Sequence, residues 1–254
     1  MDAVIALHKL LLRHPLRATS PALDHQPGAR LFLCTTPDSL VAPGSRVVVV
    51  APHPDDEVLA VGGTVAMLAA RGHEVMVVAV TDGEGSHPHS TAWTPERLRH
   101  TRPRETEQAL ACLGLGATTQ VLRLHLPDGQ VAAHEKELAI RLPLRPDDTV
   151  FVTWRHDGHA DHEACARATL AAARNAGARC IEFPVWALVP NHAAHPRLHG
   201  RLLHRIALPR EQLRAKGEAM AAFESQTATD GACAPVLGGM ALDTWRQPFE
   251  WVLA

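Results

Sequence analysis

Short runs of β-branched residues alternate with longer stretches of helical spacing along most of the chain. Val47–Val50 is a continuous apolar run of the kind that forms a buried strand, and Glu57–Arg71 repeats apolar residues at helical spacing up to Gly72. The same alternation continues to residue 223. The further predicted strands are Val75–Val80, Gln120–Leu124, Thr149–Thr153 and Cys180–Val185; the further helices are Pro95–Leu113, Glu135–Leu142, Asp161–Ala176 and Leu208–Phe223.

The two ends of the chain lack this regularity. Residues 1–45 read as an N-terminal peripheral segment, with a helix over the first dozen residues and a short edge strand at Arg30–Cys34. The tail, 224–254, is expected to be looser than the rest. Residues 46–254 are therefore predicted to form the one principal domain.

Strands that alternate with helices imply right-handed crossovers and a mostly parallel sheet with helices on both faces. We predict an α/β fold, a Rossmann-like three-layer sandwich. Ligands bind such sheets at the carboxyl ends of the strands. A polar cluster follows each of four predicted strands, which places the active site at that rim. The clusters are His53–Glu57, Asp82–His87, His125–Gly129 and Trp154–His162.

Composition limits the partners and the cellular compartment that we expect for the protein. The formal net charge is −2 with no basic stripe, which argues against a nucleic-acid partner. The 5 cysteines form no CxxC pair, which favours free thiols in a reducing compartment. The N-terminus lacks the features of a secretory signal, and no run reaches the length of a membrane span. We expect a cytoplasmic protein. The 17 histidines mean that only clusters of histidine are informative.

The first cluster, His53-Pro54-Asp55-Asp56-Glu57, places an imidazole and carboxylates directly after a strand. His and Asp without thiolates suit a catalytic zinc or similar divalent ion, which keeps a position open for water. The loop is so short that adjacent carboxylates must diverge. One acidic residue can then bind the metal while its neighbour serves as general base. Glu57 is expected to satisfy the dipole of the following helix.

The second cluster opens a predicted helix. His159 and His162 are three residues apart and could share a face, with Asp161 between them as an orienting carboxylate. A solvated His/Asp helix cap is the alternative for this cluster alone. Its pairing with the first cluster favours a metal-dependent hydrolase.

These two motifs resemble those of the PIG-L or LmbE-like family of N-deacetylases. Ala51–Glu57 is close to the AHPDDE signature, with Pro52 as a small departure, and His159–His162 matches HxDH. Weaker likenesses extend the resemblance over most of residues 46–254. They lie at Thr81–Glu84, Arg102–Glu105, Leu113-Gly114, Leu126–Gly129, Phe183–Trp186, Ser225-Gln226 and Arg246–Glu250.

The resemblance implies a role for each matching residue. His53, Asp56 and His162 would bind zinc, one ion per chain, and Asp55 would be the general base. His159 would polarise the substrate carbonyl or protonate the leaving amine, and Asp161 would orient its imidazole. Substrate contacts are expected from Arg102, Asp128, Glu84 and Trp154, with Trp93 and Trp186 as further stacking candidates. Arg102 could equally pair with Glu105 on a helix surface.

The implied reaction is hydrolysis of the acetamido group of a small N-acetylated amino sugar, an N-acetylglucosaminyl-type glycoside or conjugate. An amidase that cleaves a sugar–thiol conjugate would use the same metal chemistry and stays open. A nucleotide-binding α/β protein without catalytic activity is the alternative from another class. The first strand-to-helix turn lacks the glycine patterns that such a protein uses to bind phosphate. Another divalent metal could replace zinc at such a site. The oligomeric state is open, and a homo-oligomer is possible.

Overall fold

The computed structural model describes residues 22–23, 31–116, 119–230 and 234–254. The helix predicted over the first dozen residues lies outside these ranges. The strands are β1 (Ala22–Leu23), β2 (Leu31–Thr35), β3 (Val47–Ala51), β4 (Val75–Ala79), β5 (Gln120–Arg123), β6 (Thr149–Thr153), β7 (Arg179–Phe183), β8 (Leu202–Ala207) and β9 (Phe249–Val252).

Eight α-helices and three short 3₁₀ helices connect these strands in the described part of the chain. The α-helices are α1 (Pro37–Leu40), α2 (Asp56–Ala69), α3 (Pro95–Cys112), α4 (Glu135–Arg141), α5 (Ala160–Ala176), α6 (Arg210–Ala221), α7 (Glu224–Thr227) and α8 (Met240–Trp245). The 3₁₀ helices are Val131–His134, Trp186–Leu188 and His195–Leu198. Each predicted strand and helix between residues 47 and 223 is present, with ends that agree to about two residues.

Five strands form a parallel sheet in the order β5-β4-β3-β6-β7. All five residues of β3, β4 and β6 are buried, as expected for continuous apolar strands covered on both faces. Strand β3 lies at the centre, where Val47 pairs with Val75 of β4 on one side and Thr149 of β6 on the other.

Alternate residues of these strands pack into two different cores. Val47 and Val49 belong to one core with α2 and α6, whereas Val48 and Val50 belong to the other with α5. Successive strand side chains point to opposite faces, so the sheet is the middle layer between two layers of helices. The predicted α/β three-layer fold is confirmed.

A second sheet was not predicted. Its order is β1-β2-β8-β9, with β2 parallel to β8 and β9 antiparallel to β8. The strand expected at Arg30–Cys34 exists as β2, but it is flanked by β1 and β8, so its prediction as an edge strand is wrong. The expectation of a looser tail is also wrong, because α7, α8 and β9 all lie within it. The domain boundary at residue 45 stays a prediction.

The strand order reverses between β3 and β6. Strands β4 and β5 follow β3 on one side, and the chain then crosses to add β6 and β7 on the other. The loops after β3 and β6 therefore diverge at their carboxyl ends and leave a crevice, the usual ligand position in open parallel sheets. Among the described helices, none is long and apolar enough to cross a bilayer.

Candidate metal and catalytic site

The loop after β3 is held in an unusual backbone conformation. Asp55 has φ of 136° and ψ of −30°, a region that residues with a side chain rarely adopt. Three contacts hold it there. Arg102 donates to the carbonyl of Pro54 at 2.6 Å and to Asp55 Oδ2 at 2.9 Å, and Glu57 Oε2 accepts from the Asp55 amide at 3.1 Å. Such strain costs about 1–3 kcal/mol and persists where surrounding contacts enforce it.

Three donor atoms converge at the crevice. His53 Nδ1 lies 3.2 Å from His162 Nε2, and Asp56 Oδ2 lies 3.3 Å from each of these nitrogens. His53 and Asp56 come from the loop after β3 and the first turn of α2, while His162 comes from the first turn of α5. The three atoms form a nearly equilateral triangle.

Carboxylates fix the tautomers of both imidazoles. The other nitrogen of His162, Nδ1, bonds Asp157 Oδ2 at 2.8 Å, and His53 Nε2 lies 3.1 Å from Asp128 Oδ1 and 3.5 Å from Asp161 Oδ2. A neutral imidazole places its proton toward the carboxylate, so the lone pairs of His53 Nδ1 and His162 Nε2 face each other. Carboxylates behind ligating imidazoles are typical of metal sites.

The triangle fits a small divalent ion. Nitrogen and oxygen ligands about 2.05 Å from a tetrahedral zinc ion are about 3.3 Å apart, and the observed separations are 3.2–3.3 Å. Three protein ligands would leave an open position, as in catalytic sites.

Two other groups also bring possible ligand atoms within 4.8 Å of one another: His53 with His159 and His162, and His53 with Asp128 and Asp161. We prefer the set with Asp56. Asp128 and Asp161 approach His53 at Nε2, the nitrogen that carries the proton in the tautomer above. In the other group, Nδ1 of His159 already accepts from the Asp161 amide at 3.3 Å, so His159 could ligate only through Nε2.

Electrostatics support proton transfer by Asp55. Burial raises the pKa of Asp55 to about 7, and the Arg102 charge offsets part of this effect. Arg102 occupies Oδ2, which leaves Oδ1 for a reacting proton. Burial also raises the pKa of Glu57 to about 8, and the Asp55 charge adds to the effect.

His159 is the N-cap of α5, and its ring orientation is fixed by the backbone. Because Nδ1 accepts from the amide of Asp161, the ring proton of the neutral form lies on Nε2. Burial lowers the pKa of His159 to about 4, and the charges of His162 and His53 add to the effect. His159 is thus a neutral hydrogen-bond donor in this structure.

A pocket of about 400 Å³ lies over these groups. The catalytic side of the pocket is formed by His53, Asp55, Asp56, Arg102, Asp128 and His159. Trp186 and Gln226 also line it. The Gln226 amide donates to Ser225 Oγ at 2.9 Å, and Ser225 is held by two 2.7 Å hydrogen bonds to the buried Glu105.

The sequence that carries these site residues matches a known protein family. Residues 48–173 match the family model described as PIG-L: GlcNAc-PI de-N-acetylase. The match contains the β3 loop, Arg102, Asp128 and the α5 motif. The chain belongs to the PIG-L family.

Two similar relatives of this PIG-L chain are named as deacetylases. The 1D-myo-inositol 2-acetamido-2-deoxy-alpha-D-glucopyranoside deacetylase of Rhodococcus jostii is 32% identical over 160 residues, which cover 52% of this chain and 54% of the relative. The probable N-acetyl-alpha-D-glucosaminyl L-malate deacetylase 2 of Bacillus cereus is 30% identical over 134 residues, covering 50% and 60%. The chain thus spans a little over half the length of these relatives.

Among solved structures, the A40926 pseudoaglycone deacetylase superposes with a TM-score of 0.59 at 22% identity, covering 74% of this chain and 85% of that one. This similarity supports the fold of the PIG-L domain.

The structure brings most of the predicted site residues together and places one of them, Trp154, away from the pocket. His53, Asp55, Asp56 and His162 meet at the crevice, and His159 and Asp128 face the same pocket. Trp154 does not. It is 3% exposed and packs with Leu188, Leu198 and other residues in a core beneath the second sheet, so the prediction that it contacts substrate is wrong.

The contacts of Asp161 differ from the prediction. Asp161 was expected to orient the His159 imidazole, but its carboxylate instead accepts from the amides of Gly129 at 2.6 Å and Val131 at 3.1 Å and lies near His53. That expected role is wrong.

Arg102 and Glu84 make their contacts with other residues of the site. Arg102 is 2% exposed and bonds Asp55 rather than pairing with Glu105, so the helix-surface alternative is wrong. Glu84 Oε1 pairs with Arg99 and lies 3.5 Å from the Asp128 amide. Glu84 is not among the residues that line the pocket. Substrate contacts by Arg102, Asp128 and Glu84 stay predictions.

Asp157 was not among the residues predicted to act in the site. This fully buried residue bonds His162 and also accepts from the amides of Val185, Trp186 and Ala187 at 2.9–3.0 Å. The sequence could have indicated Asp157 as a site residue, since it lies within the cluster that ends at His162. Gln226 belongs to a motif noted only as a family likeness, and its position in the pocket depends on tertiary packing.

Proposed function

We propose that this PIG-L family protein is a cytoplasmic zinc-dependent hydrolase that removes the acetyl group from an N-acetylated amino sugar conjugate. The observation that carries the proposal is the triangle of His53, Asp56 and His162 donor atoms, backed by carboxylates and placed beside Asp55 and His159. The names of the two relatives support an N-acetylglucosaminyl unit. They differ in the group attached to it, inositol in one and malate in the other.

His53, Asp56 and His162 would hold the ion. When bound there, a divalent ion supplies a Lewis acid for the acetamide carbonyl and lowers the pKa of a water molecule. Asp55 takes the proton of the attacking water through Oδ1 while Arg102 holds Oδ2. The same proton then passes from Asp55 to the amide nitrogen as the carbon–nitrogen bond breaks, which releases an amine and acetate.

His159 acts on the carbonyl oxygen. Its Nε2–H is a preorganised donor for the negative charge that develops on this oxygen when water adds to the carbonyl. Because its pKa is lowered to about 4, the neutral ring donates a hydrogen bond instead of transferring its proton. This assignment favours the oxyanion role over protonation of the leaving amine.

The same groups would hydrolyse the amide of a sugar–thiol conjugate, so that activity belongs in the same assay. A nucleotide-binding role is disfavoured because Asp55 and Asp56 place carboxylates at the N-terminus of α2, where a phosphate would bind.

The test is acetate release from N-acetylglucosaminides by protein reconstituted with zinc, cobalt or iron, with a sugar–thiol amide in parallel. Asp55→Asn is the matched control, because it keeps the shape of the side chain but removes the base. We expect it to retain metal by elemental analysis and to lose about 10²–10⁴-fold in turnover.

Two results would contradict the proposal. A fully metal-loaded protein that releases neither acetate nor the thiol acid would remove the deacetylase and amidase functions together. Loss of metal in Asp55→Asn would instead exchange the roles of Asp55 and Asp56.

A further inference from the structure

The charges in the pocket restrict the substrates that it can accept. Among the described lining residues, Asp55, Asp56 and Asp128 are acidic, and Arg102 is the one guanidinium or ammonium group. Away from the proposed ion and its ligands, a negatively charged group of the bound conjugate would need Arg102 as its partner.

Both terminal nitrogens of Arg102 are already engaged, and its Nε, which has no hydrogen-bond partner, is buried. Its Nη2 donates to Asp55 Oδ2 at 2.9 Å and to the Pro54 carbonyl at 2.6 Å, and its Nη1 donates to the Gly83 carbonyl at 2.8 Å. The residue is 2% exposed. Transfer of this guanidinium to a ligand would leave Asp55 buried without its partner, which is unfavourable.

Two neighbouring basic residues in the described part of the chain, Arg99 and His87, do not supply a substitute. Arg99, one turn before Arg102 on α3, lies outside the lining residues and pairs with Glu84 at 3.3 Å. His87 contacts Ser86 at 2.9 Å, and burial lowers its pKa, so its imidazole is neutral at neutral pH.

The other described lining residues, apart from His53 and His159, carry no charge. Its apolar wall consists of Leu59, Val185, Trp186, Val236 and Leu237. The neutral hydrogen-bonding groups beside this wall are Gly85, Ser86, Gly129 and Gln226. This wall is contiguous with the catalytic groups in one pocket, and Val236 is 37% exposed. A pocket of this kind binds hydroxyl-bearing and apolar groups and excludes an unpaired anion.

We infer that this pocket selects N-acetylated sugar conjugates whose attached group is uncharged, and discriminates against those that carry a carboxylate or phosphate. The inference rests on the proposed function and narrows its substrate class. Selection of this kind comes from the lack of a free cation for the wrong ligand among the described lining residues.

The test uses two glycosides of N-acetylglucosamine that differ in one charge, the benzyl and the 4-carboxybenzyl glycoside. With zinc-loaded protein we expect kcat/KM to be at least about tenfold higher for the benzyl glycoside, because an unpaired like charge is strongly disfavoured. Dissociation constants of both compounds, measured by calorimetry on zinc-loaded Asp55→Asn protein, should show the same preference.

A charge variant at the pocket wall sharpens the test. Val236→Lys would supply a cation at a partly exposed position, and we expect it to reduce the preference for the benzyl glycoside several-fold. Val236→Gln, which is neutral, is the matched control and should keep the wild-type ratio. Equal reduction in both variants would show that the wall, rather than charge, sets the preference, and would overturn the inference.

The remaining outcomes separate this inference from the proposed function. Equal kcat/KM and equal affinity for the two glycosides would overturn the charge selection while leaving deacetylation intact. Binding that favours the benzyl glycoside without release of acetate from either would overturn the proposed function and support the selection. Failure of both to bind would overturn both.

Discussion

Arg102 lies at the centre of the contacts that hold the loop after β3. One buried side chain bonds two backbone carbonyls and the carboxylate of Asp55, whose backbone has φ of 136°. A planar guanidinium can reach these acceptors at once, which an ammonium group cannot do. The residue therefore acts on the reaction through the position of Asp55.

We predict that Arg102→Ala lowers kcat by about 10²-fold and changes KM little. A displacement of the catalytic base by about 1 Å has effects of this size. Metal content should stay at the wild-type level by elemental analysis. Added guanidinium ion should restore part of kcat in the variant, with wild-type protein in the same salt as the control. A raised KM with unchanged kcat would show instead that Arg102 contacts the sugar.

At the scale of elements, Asp157 connects three parts of the fold. It lies between β6 and α5. Its carboxylate accepts hydrogen bonds from three backbone amides of the segment that follows β7 and also bonds the imidazole of His162. The carboxyl ends of two neighbouring strands are thereby tied to one metal ligand.

We predict that Asp157→Asn lowers metal affinity by about 10–100-fold, because an amide no longer fixes the proton of His162 on Nδ1. Competition with a chelator measures the effect. Asp148→Asn is the matched control. It changes another buried carboxylate, paired with Arg46 away from the site, and should lower stability without changing metal affinity. Equal metal affinity in wild type and Asp157→Asn would contradict the orienting role.

The elements that the sequence predicted well are those buried on both sides. Strands such as Val47–Ala51 are continuous apolar runs with glycine-terminated helices between them, so local patterns suffice. Strands β8 and β9 were missed because they contain the half-buried His204 and Arg205 and the buried Glu250, which obscure the alternation.

The metal motifs could also be predicted, because each lies within a few residues of sequence. The contacts around them could not. Arg102 meets Asp55 across 47 residues, and Asp161 bonds amides about 30 residues away rather than the neighbouring His159. Such pairings depend on how loops pack against each other, which local patterns do not record.

At the scale of the whole molecule, a buried ion pair joins the C-terminal strand to the helical layer. Lys216 of α6 donates to Glu250 of β9 at 2.7 Å, and Glu250 also accepts from the amides of Gly63 and Thr64 in α2. The side chains of Lys216 and Glu250 are 2% and 1% exposed.

We predict that Lys216→Met lowers the free energy of unfolding by about 3–5 kcal/mol, because it leaves the Glu250 charge buried without its partner. Chemical denaturation measures this change. Lys136→Met, at an exposed position on α4, is the matched control and should have little effect. Similar stability of the two variants would show that the pair contributes little.

The metal site should also make stability depend on pH. Burial opposes a charge on His162, but Asp56 and Asp157 outweigh it and raise the pKa to about 9 from 6.5 in the protein without an ion. That stabilisation is complete below about pH 6.5 and is lost as the pH rises to about 9. An ion must displace this proton, so metal affinity increases over the same range.

We therefore predict that excess metal raises the melting temperature more at about pH 8 than at about pH 6.5. Scanning calorimetry with and without metal measures the difference. His162→Ala is the control and should show no such increment at either pH. An increment of equal size at both values would contradict protonation of the ligand imidazoles in the metal-free protein.

The reversal of strand order between β3 and β6 has a consequence for the chain as a polymer. His53 and His162 are 109 residues apart in sequence, one on each half of the doubly wound sheet. An ion held by both closes a loop of that length, much as a disulfide does, and loops of about 100 residues lose about 4.7 kcal/mol of unfolded-chain entropy when cross-linked. Any such gain shrinks if the unfolded chain keeps the ion. The ion that serves the reaction would thus also act as a removable cross-link between the two halves of the fold.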